Sequence, residues 1–336
     1  MRLETENASI NSSSYPSFSV VIEWENILLA ESQRSNKMLQ QLCKQLIEVS
    51  PNSCSKPEII IVYNPEESDG FGIEQLTKEQ LAPCNSMIEL KIIPAPGLHY
   101  YELKNCGAKH SSSDIVIFLD SDVIPEDGWL ASLLESFQWL EVCVVGGHTY
   151  VPPENLYKKT YGLIHLDHSD HIQDGELLER EYFAANNVAF RREIFESCPF
   201  PDSAHIRSRH TVMVDKLQSR GFKIFYQPKS RTSHPIPNGL RHFIKRAICD
   251  GHDRLIEYKR RAHSANAPPG PNGNQHYRRS LRQELLRLHK RFRQAGLGPK
   301  DTVGVASIVL AYLTFMFAGF VIGSLQPELI RRRLSI

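Results

Sequence analysis

Short apolar runs alternate with helix-forming runs between Phe18 and Tyr150, and this alternation is the feature that most constrains the fold. The strand-like runs are "FSVVIEW", "EIIIVY", "IELKIIP", "DIVIFL" and "VCVVGG". Strands that alternate with helices pair side by side in a parallel sheet. Because each run is continuously apolar, we expect helices on both faces of the sheet. The sequence therefore predicts an α/β fold with a mixed, mostly parallel sheet flanked by helices.

Two carboxylates, Asp120 and Asp122, follow the apolar run "DIVIFL". Residues i and i+2 of an extended chain point to the same side, so both carboxylates can face one cleft. Ligands of open α/β sheets bind beyond the carboxyl ends of the strands, which is where this pair lies. Neighbouring anions attract a divalent cation, and Mg²⁺ is usually bound by one or two carboxylates together with substrate phosphates. The pattern predicts a Mg²⁺ or Mn²⁺ site that stabilises a diphosphate leaving group.

The rest of the chain divides at changes in composition. Residues 17–150 and 151–262 read as two halves of one catalytic domain, and the second half is less regular. It contains a strand and helix in "EYFAANNVAFRREIFE", a helix ending near Gly221 followed by a strand, and a helix in "LRHFIKRAICDGHDRLIEYKRRA". The Pro/Gly/Asn-rich residues 263–277 predict a linker. Residues 1–16 lack the apolar run of a secretory signal and predict a disordered lead-in.

Residues 278–300 predict a basic amphipathic helix. Its apolar positions, Leu281, Leu285, Leu288 and Phe292, fall at i, i+4, i+7 and i+11, and its other faces carry Lys and Arg. This pattern is typical of a helix that lies on a membrane surface. A solvated helix that packs its leucines on the protein body is the alternative, but the segment that follows is apolar and favours the membrane.

Residues 301–327 predict a transmembrane segment, because no charged side chain occurs from Thr302 to Pro327. About 20 apolar residues suffice to cross a bilayer; a re-entrant or buried hairpin helix is the alternative. Eight Lys and Arg residues precede this segment within 278–300, and three follow it in the basic tail 328–336. The excess of positive charge on the near side predicts a single-pass protein of the cell membrane with its catalytic domain in the cytoplasm.

The charge distribution excludes one class of partner. The formal net charge is +1, but residues after Tyr277 carry 11 basic and three acidic side chains, which leaves 28 basic and 35 acidic ones before them. A mildly acidic body predicts no nucleic-acid partner. The seven cysteines are odd in number and never spaced as C-x-x-C, which predicts neither a disulfide framework nor a zinc site.

Residues 17–262 resemble the family 2 glycosyltransferases with the glycosyltransferase A fold. The segments "FSVVIEWEN", "EIIIVYN", "YYELKNCGAKHSSSDIVIFLDSD", "FAANNVAFRREIF" and "RTSHP" match family segments in the same order. Lys104, Asn105 and Gly107 stand where the family has its arginine-asparagine-x-glycine helix. The resemblance implies a hexosyltransferase-type glycosyltransferase that uses a nucleotide-sugar donor, with UDP as the expected nucleotide, and a glycan or lipid-linked acceptor.

The resemblance also implies a role for individual residues. Glu23 and Trp24 replace the family's proline and its neighbour after the first strand, and Asn64 stands where an aspartate commonly contacts the base. These departures leave the identity of the base open. The implied donor-binding residues are Glu23, Asn64, Lys104, Asn105, Asp120 and Ser121; the implied metal ligands are Asp120, Asp122 and His234; and the implied acceptor-binding residues are Asn186 and Asn187.

The catalytic base departs most from the family. When the sequence is aligned on Gly221 without gaps, the family's Glu-Asp pair falls on Arg209 and His210. A histidine titrates near neutral pH and can act as a general base. Asp215 is a carboxylate five residues further on. Both His210 and Asp215 remain candidates for the base, and inverting and retaining chemistry both remain open.

Three functions are therefore compared. The helix after "RTSHP" lacks the Q-x-x-R-W signature of processive synthases, so transfer of a single sugar is the main hypothesis. A catalytically degenerate relative that binds a glycan or a protein partner is the first alternative, because the family's Glu-Asp pair is missing. A nucleotidyltransferase is the second, but its glycine-rich loop is absent from "VIEWENILLAESQR" after the first strand.

Overall fold

The structure, a computed structural model, describes residues 14–29, 33–165, 176–264, 291–293, 295–327 and 330. Its strands are β1 (Phe18–Glu23), β2 (Glu58–Tyr63), β3 (Glu89–Pro94), β4 (Ile115–Asp120), β5 (Ile124–Pro125), β6 (Val144–Tyr150), β7 (Leu178–Arg180), β8 (Asn187–Arg191) and β9 (Ile224–Ser233). Within the described residues they form one sheet of nine strands in the order β3-β2-β1-β4-β8-β6-β9-β5, with β7 paired to β9.

The helices lie on both faces of this sheet, and the last two follow its last strand in the chain. They are α1 (Gln33–Val49), α2 (Gly70–Gln80), α3 (Tyr100–Lys109), α4 (Trp129–Glu135), α5 (Leu156–His165), α6 (Arg192–Ser197), α7 (Arg209–Ser219), α8 (Gly239–Ser264) and α9 (Thr302–Leu325). Strands β1 to β4 pair in parallel, whereas β8 runs antiparallel to β4 and β6. The predicted fold class, a mixed and mostly parallel α/β sheet, is confirmed.

The sheet register aligns the carboxyl ends of β1, β2 and β4. Glu23 pairs with Val62 on one side and with Asp120 on the other. Asn64 directly follows β2, and Asp122 lies two residues after the end of β4, so all these polar residues meet at one edge. This edge is where ligands bind in open α/β sheets.

Continuous apolar strands produce two cores because successive side chains point to opposite faces. On β1, Val20 and Ile22 pack in one core, and Val21 packs in the other. On β4, Leu119 packs in the first core and Phe118 in the second. Helices α1 and α4 cover the first core and α3, α6 and α7 the second, as predicted from the lack of alternation in the strands.

The predicted segment boundaries agree in part with the observed elements. Strands from both predicted halves, 17–150 and 151–262, join in the single sheet. The lead-in 1–16 lies mostly outside the described residues, but Tyr15 pairs with Ser53. Most of the linker 263–277, the first part of the basic helix and the basic tail also lie outside them. The domain boundaries therefore stay predictions.

Helix α9 is the helix within the described residues that is long and apolar enough to cross a membrane, and only 17% of its apolar window is buried. One face packs on α8 and α5. Phe292, Leu163, Leu297 and Val305 form a small apolar cluster beside it. The remaining face is exposed and apolar; Val303, Leu310, Phe317 and Leu325 are each at least 67% exposed.

Candidate active site

A cavity of about 560 Å³ opens at the carboxyl edge of the sheet. Strands β4 and β6 form its floor, and the chain after β7, the loop before α7 and helix α8 form its walls. It lies between the two predicted halves, which is where two substrates can meet. Its charged and titratable lining residues include Asp120, His165, Arg180, Arg207, His210, His234, Arg246 and Asp250.

Asp120 is held by a set of hydrogen bonds that sequence reasoning missed. The Lys104 ammonium donates to Oδ1 at 2.6 Å, and Lys104 is fully buried. Tyr100 Oη lies 2.9 Å and Asn26 Nδ2 2.9 Å from Oδ2. The Lys104 ammonium also donates to the carbonyl of Ala185 at 3.1 Å. Lys104 is thus a buried counter-ion for Asp120 in this structure, and its predicted contact with a donor phosphate stays a prediction.

Within the part of the chain that the structure describes, Asp122 lacks such hydrogen bonds on Oδ1, although the positive charges of Arg34, Arg246 and Arg207 favour its ionised form. It is buried, and its Oδ1 has no hydrogen-bond partner among the described residues. Burial, together with the negative charge of Asp120, raises the pKa of Asp122 to about 7. A buried carboxylate oxygen without a donor is the environment that a divalent cation relieves. This observation fits the predicted metal role of Asp122.

His234 faces a small cavity of about 20 Å³ that Asp122 also lines. Its Nδ1 lies 2.5 Å from the carbonyl oxygen of Pro235. A carbonyl only accepts, so Nδ1 carries the proton and Nε2 keeps its lone pair, which is the arrangement of most metal-binding histidines. Burial and the charge of Arg246 lower the pKa of His234 to about 3, so the ring is neutral at pH 7. Both Asp122 and His234 therefore fit a cation.

Asp120, Asp122 and His234 do not form a closed ligand set, because their ligand atoms do not all lie within 4.8 Å of one another. Among the described residues this spacing is met by Glu25, Glu67 and His99 at the neighbouring rim. The Glu25 carboxylate contacts His99 Nδ1 at 2.8 Å and accepts from the backbone N–H of Tyr100 at the start of α3.

The other predicted donor residues shape the loops of this edge. Glu23 is fully buried and accepts from the backbone N–H groups of Glu25 and Asn26. Burial and the nearby charge of Asp120 raise the pKa of Glu23 well above the usual carboxyl range. The Ser121 hydroxyl accepts from the backbone N–H of Ile27 at 3.2 Å.

Asn64 and Asn105 have similar structural contacts. Asn64 Oδ1 accepts from the backbone N–H groups of Glu66 and Gly97 at 3.1 and 3.2 Å. The Asn105 side chain bonds both the carbonyl and the N–H of Phe200. The donor-binding roles of these residues stay predictions.

The two predicted acceptor residues occupy different environments. Asn186 lines the cavity, and its Oδ1 accepts from the Thr149 hydroxyl at 3.1 Å. Asn187 is fully buried and bonds the Trp129 indole at 2.8 Å and the Ser230 carbonyl at 3.1 Å. Asn186 therefore meets the cavity, whereas Asn187 ties β8 to the neighbouring elements.

The two candidate bases, His210 and Asp215, lie in different environments. Asp215 forms a salt bridge with Arg260 and does not line the cavity. His210 lines the cavity, and its Nδ1 lies 2.8 Å from Tyr101 Oη. The Tyr101 hydroxyl donates its one hydrogen to the carbonyl of Arg207 at 2.5 Å. Nδ1 of His210 must therefore donate to Tyr101, which leaves the lone pair on Nε2.

Burial lowers the pKa of His210 to about 4, although the Asp253 charge acts in the opposite direction. The ring is neutral at pH 7. A neutral imidazole with a hydrogen bond fixing Nδ1–H is the geometry of a general base.

Sequence reasoning missed three residues of α8. Arg246 and Asp250 line the cavity. Asp253 accepts from the backbone N–H groups of Ile206, Arg207 and Ser208, and so holds the loop that carries Arg207 into the cavity. These three polar residues recur at i, i+4 and i+7, a spacing that places them on one face of a helix and was visible in the sequence.

This chain is similar to known glycosyltransferases. Residues 34–198 match the family model described as Glycosyl transferase family 2. Among curated proteins, the chain is similar to the Glucosyl-dolichyl phosphate glucuronosyltransferase of Haloferax volcanii, with 21% identity over 256 residues, covering 70% of this chain and 77% of the relative.

Two solved structures share the fold. The mannosyltransferase PcManGT from Pyrobaculum calidifontis, in complex with GDP-Man and Mn²⁺, has a TM-score of 0.54 and 16% identity, covering 96% of this chain and 90% of the other. GalNAc-T7 with UDP, GalNAc and Mn²⁺ has a TM-score of 0.51 and 12% identity, covering 84% of this chain and 55% of the other. At these identities the likeness shows the fold.

Proposed function

The chain carries a family 2 glycosyltransferase domain and is a glycosyltransferase, and on this premise we propose that it transfers one sugar from a nucleotide-diphosphate sugar to an acceptor at a membrane surface. The observation that carries the proposal is the position of His210 and His234 on the 560 Å³ cavity, with Asp122 on the small cavity that His234 also lines. Asp122 and His234 lie at the sheet edge, and His210 lines the cavity. The sheet edge with Asp122 and His234 fits a metal ion and a diphosphate. His210 can act as the general base for a second substrate.

The cofactor that fits this site is Mn²⁺ or Mg²⁺. Asp122 would hold it through its unpartnered oxygen, and His234 through Nε2. Such an ion supplies charge stabilisation to a diphosphate leaving group. Arg207 and Arg246 line the same small cavity, so the protein itself supplies two further cations for phosphate oxygens. The expected nucleotide is UDP, as inferred from the sequence resemblance.

His210 acts on the acceptor in this proposal. Its Nε2 accepts the proton of the attacking acceptor hydroxyl, while Tyr101 keeps the ring in the correct tautomer and orientation. Direct displacement by a hydroxyl activated in this way inverts the configuration at the sugar carbon. Asn186, on the cavity wall, is placed to orient the acceptor.

The proposed acceptor is linked to a lipid phosphate. The Haloferax relative is named for a dolichyl-phosphate-linked substrate, and helix α9 presents an exposed apolar face next to the catalytic domain. We assign the membrane attachment to α9. We also propose that α9 crosses the membrane once and that the catalytic domain lies in the cytoplasm. The basic segment before α9 would add attraction to anionic lipids.

The test uses purified full-length protein, UDP-glucuronic acid as the donor probe and glucosyl-dolichyl phosphate as the acceptor probe. Asp122→Asn should lose at least tenfold in Mn²⁺ affinity, measured by calorimetry, and lose transfer with it. Asp127→Asn is the matched control, because Asp127 is a nearby acid whose side chain is 69% exposed. Equal Mn²⁺ affinity in both variants would contradict the metal site, and absence of transfer to any glycan or lipid-linked acceptor would contradict the proposed function.

A further inference from the structure

Helices α8 and α9 cross at contacts that only glycine permits. A Cβ atom on Gly251 would lie 1.8 Å from the carbonyl oxygen of Met316, and one on Gly319 would lie 2.1 Å from the carbonyl oxygen of Ile248. Each glycine thus lets one helix backbone contact the other, as in the small-residue crossings of membrane helices. The contact fixes α9 against the catalytic domain at a defined position.

This position places a polar side chain of the apolar helix against Asp250, which lines the cavity. Tyr312 is only 2% exposed and lies in an apolar cluster with Phe243 and Tyr161. Its hydroxyl donates a hydrogen bond to Oδ2 of Asp250 on α8. A buried phenol in an otherwise apolar helix needs a partner, and Asp250 satisfies it.

Asp250 in turn lines the main cavity, together with His165 and Arg246. The Asp250 Oδ2 lies 3.7 Å from His165 Nδ1, so the Tyr312 and His165 contacts both lie at the same oxygen. Arg246, one helical turn before Asp250, lines both the main cavity and the small cavity of Asp122 and His234. Asp250 therefore lines the main cavity beside Arg246, which also lines the small cavity at the metal edge, and it is oriented by a residue of α9.

We propose that helix α9 supports the acceptor site from behind its wall: Tyr312 positions Asp250 so that this carboxylate accepts a hydrogen bond from a sugar hydroxyl of the acceptor. The inference rests on the proposed function and adds to it: the apolar helix does more than attach the enzyme to lipid. Asp250 contacts the substrate, and Tyr312 is a positioning residue.

Tyr312→Phe and Asp250→Asn in the full-length protein test this, with UDP-glucuronic acid and glucosyl-dolichyl phosphate as probes. Tyr312→Phe removes one hydroxyl and keeps the ring packing. A hydrogen bond to a charged group is worth about 10- to 100-fold in an equilibrium constant, so we expect the KM for the acceptor to rise about tenfold or more. The KM for the donor and metal-dependent donor hydrolysis should stay unchanged.

Asp250→Asn should show the same split between acceptor and donor, and the double variant should be no worse than Asp250→Asn alone, because the two residues act as one unit. Tyr258→Phe is the matched control: it is the same substitution on α8 at a side chain that is 67% exposed. Its kinetics should equal those of the wild type.

Two results would overturn the inference. An acceptor KM within twofold of wild type in Tyr312→Phe would show that the hydroxyl positions nothing, and additive effects in the double variant would show independent roles. A parallel loss of donor binding and melting temperature would assign Tyr312 to stability alone and overturn it as well. Failure of the proposed function is distinct, because the wild-type protein itself would then transfer no sugar to the probe.

Discussion

Substitution of His210 tests the assignment of the catalytic base most directly. His210→Asn removes the lone pair of Nε2, and the asparagine amide can still donate to Tyr101 in place of Nδ1–H. His210→Asp instead introduces the carboxylate that the family commonly carries at this position. Comparison of these two variants separates the effect of losing the base from the effect of losing the hydrogen bond to Tyr101.

The magnitude follows from the chemistry of the group. A positioned general base contributes about 10²- to 10⁴-fold to the rate, so His210→Asn should lower kcat by at least 100-fold. The hydrogen bond to Tyr101 contributes only about 1 kcal/mol to folding. The melting temperature of His210→Asn should therefore change by only a few degrees, and metal and donor binding should be kept. His210→Asp should recover part of the lost kcat.

The pH dependence has a defined sign. Burial lowers the pKa of His210 to about 4, so the base is neutral and competent at all pH values well above 4 and is lost only as the pH falls through that value. The profile of kcat/KM at saturating Mn²⁺ should show no loss from this group between pH 8 and 5. A free histidine would titrate near pH 6.5.

Initial rates of transfer to glucosyl-dolichyl phosphate across this pH range, together with unfolding curves, provide the measurement. A kcat for His210→Asn within threefold of wild type would refute the assignment of the base. So would a wild-type limb near pH 6.5 that disappears in the variant, because it would show that the ring is not held neutral by burial.

Two further predictions concern α9. Gly251→Ala places a Cβ atom 1.8 Å from the Met316 carbonyl oxygen, so overpacking should lower the free energy of unfolding by about 1–3 kcal/mol. In the control Gly298→Ala, the nearest atom to the new Cβ would lie 3.9 Å away, so the loss should be less than about 1 kcal/mol. Equal losses in detergent unfolding curves would contradict the helix crossing. A protease-sensitive tag added after Ile336 should be protected when protease is applied from the cytoplasmic side of sealed vesicles, if α9 crosses the bilayer; cleavage from that side would show that α9 lies on the catalytic domain without crossing.

The fold was largely predictable because its signals are local. The apolar runs that became β1 to β4 are contiguous in the sequence, and their lack of alternation already indicated helices on both faces. The end of a helix is less predictable: α4 ends at Glu135 and a 3₁₀ turn continues to Gln138. Local periodicity does not determine where tertiary packing ends a helix.

The candidate site was predictable only in part. Asp122 was named from its place after an apolar strand and His234 from the family resemblance, and the structure brings them to one small cavity. From the sequence, Asp120 was expected to be an anion that a metal ion neutralises. In the structure, the ammonium group of Lys104 on α3 neutralises Asp120 at the end of β4. Between His210 and Asp215 the sequence offered no decision, because both occur on one short helix and only the fold shows which of them meets the cavity.

The sequence by itself determined the alternation of strands and helices, the edge at which the acidic pair lies, and the presence of one long apolar helix, since each depends on residues close together in the chain. Only the tertiary structure decided which charges are paired and which side chains share a cavity. Tyr312 and Asp250 are 62 residues apart, and their contact depends on the crossing of two helix backbones at glycines. Such pairings arise from topology and close packing, which no local pattern encodes.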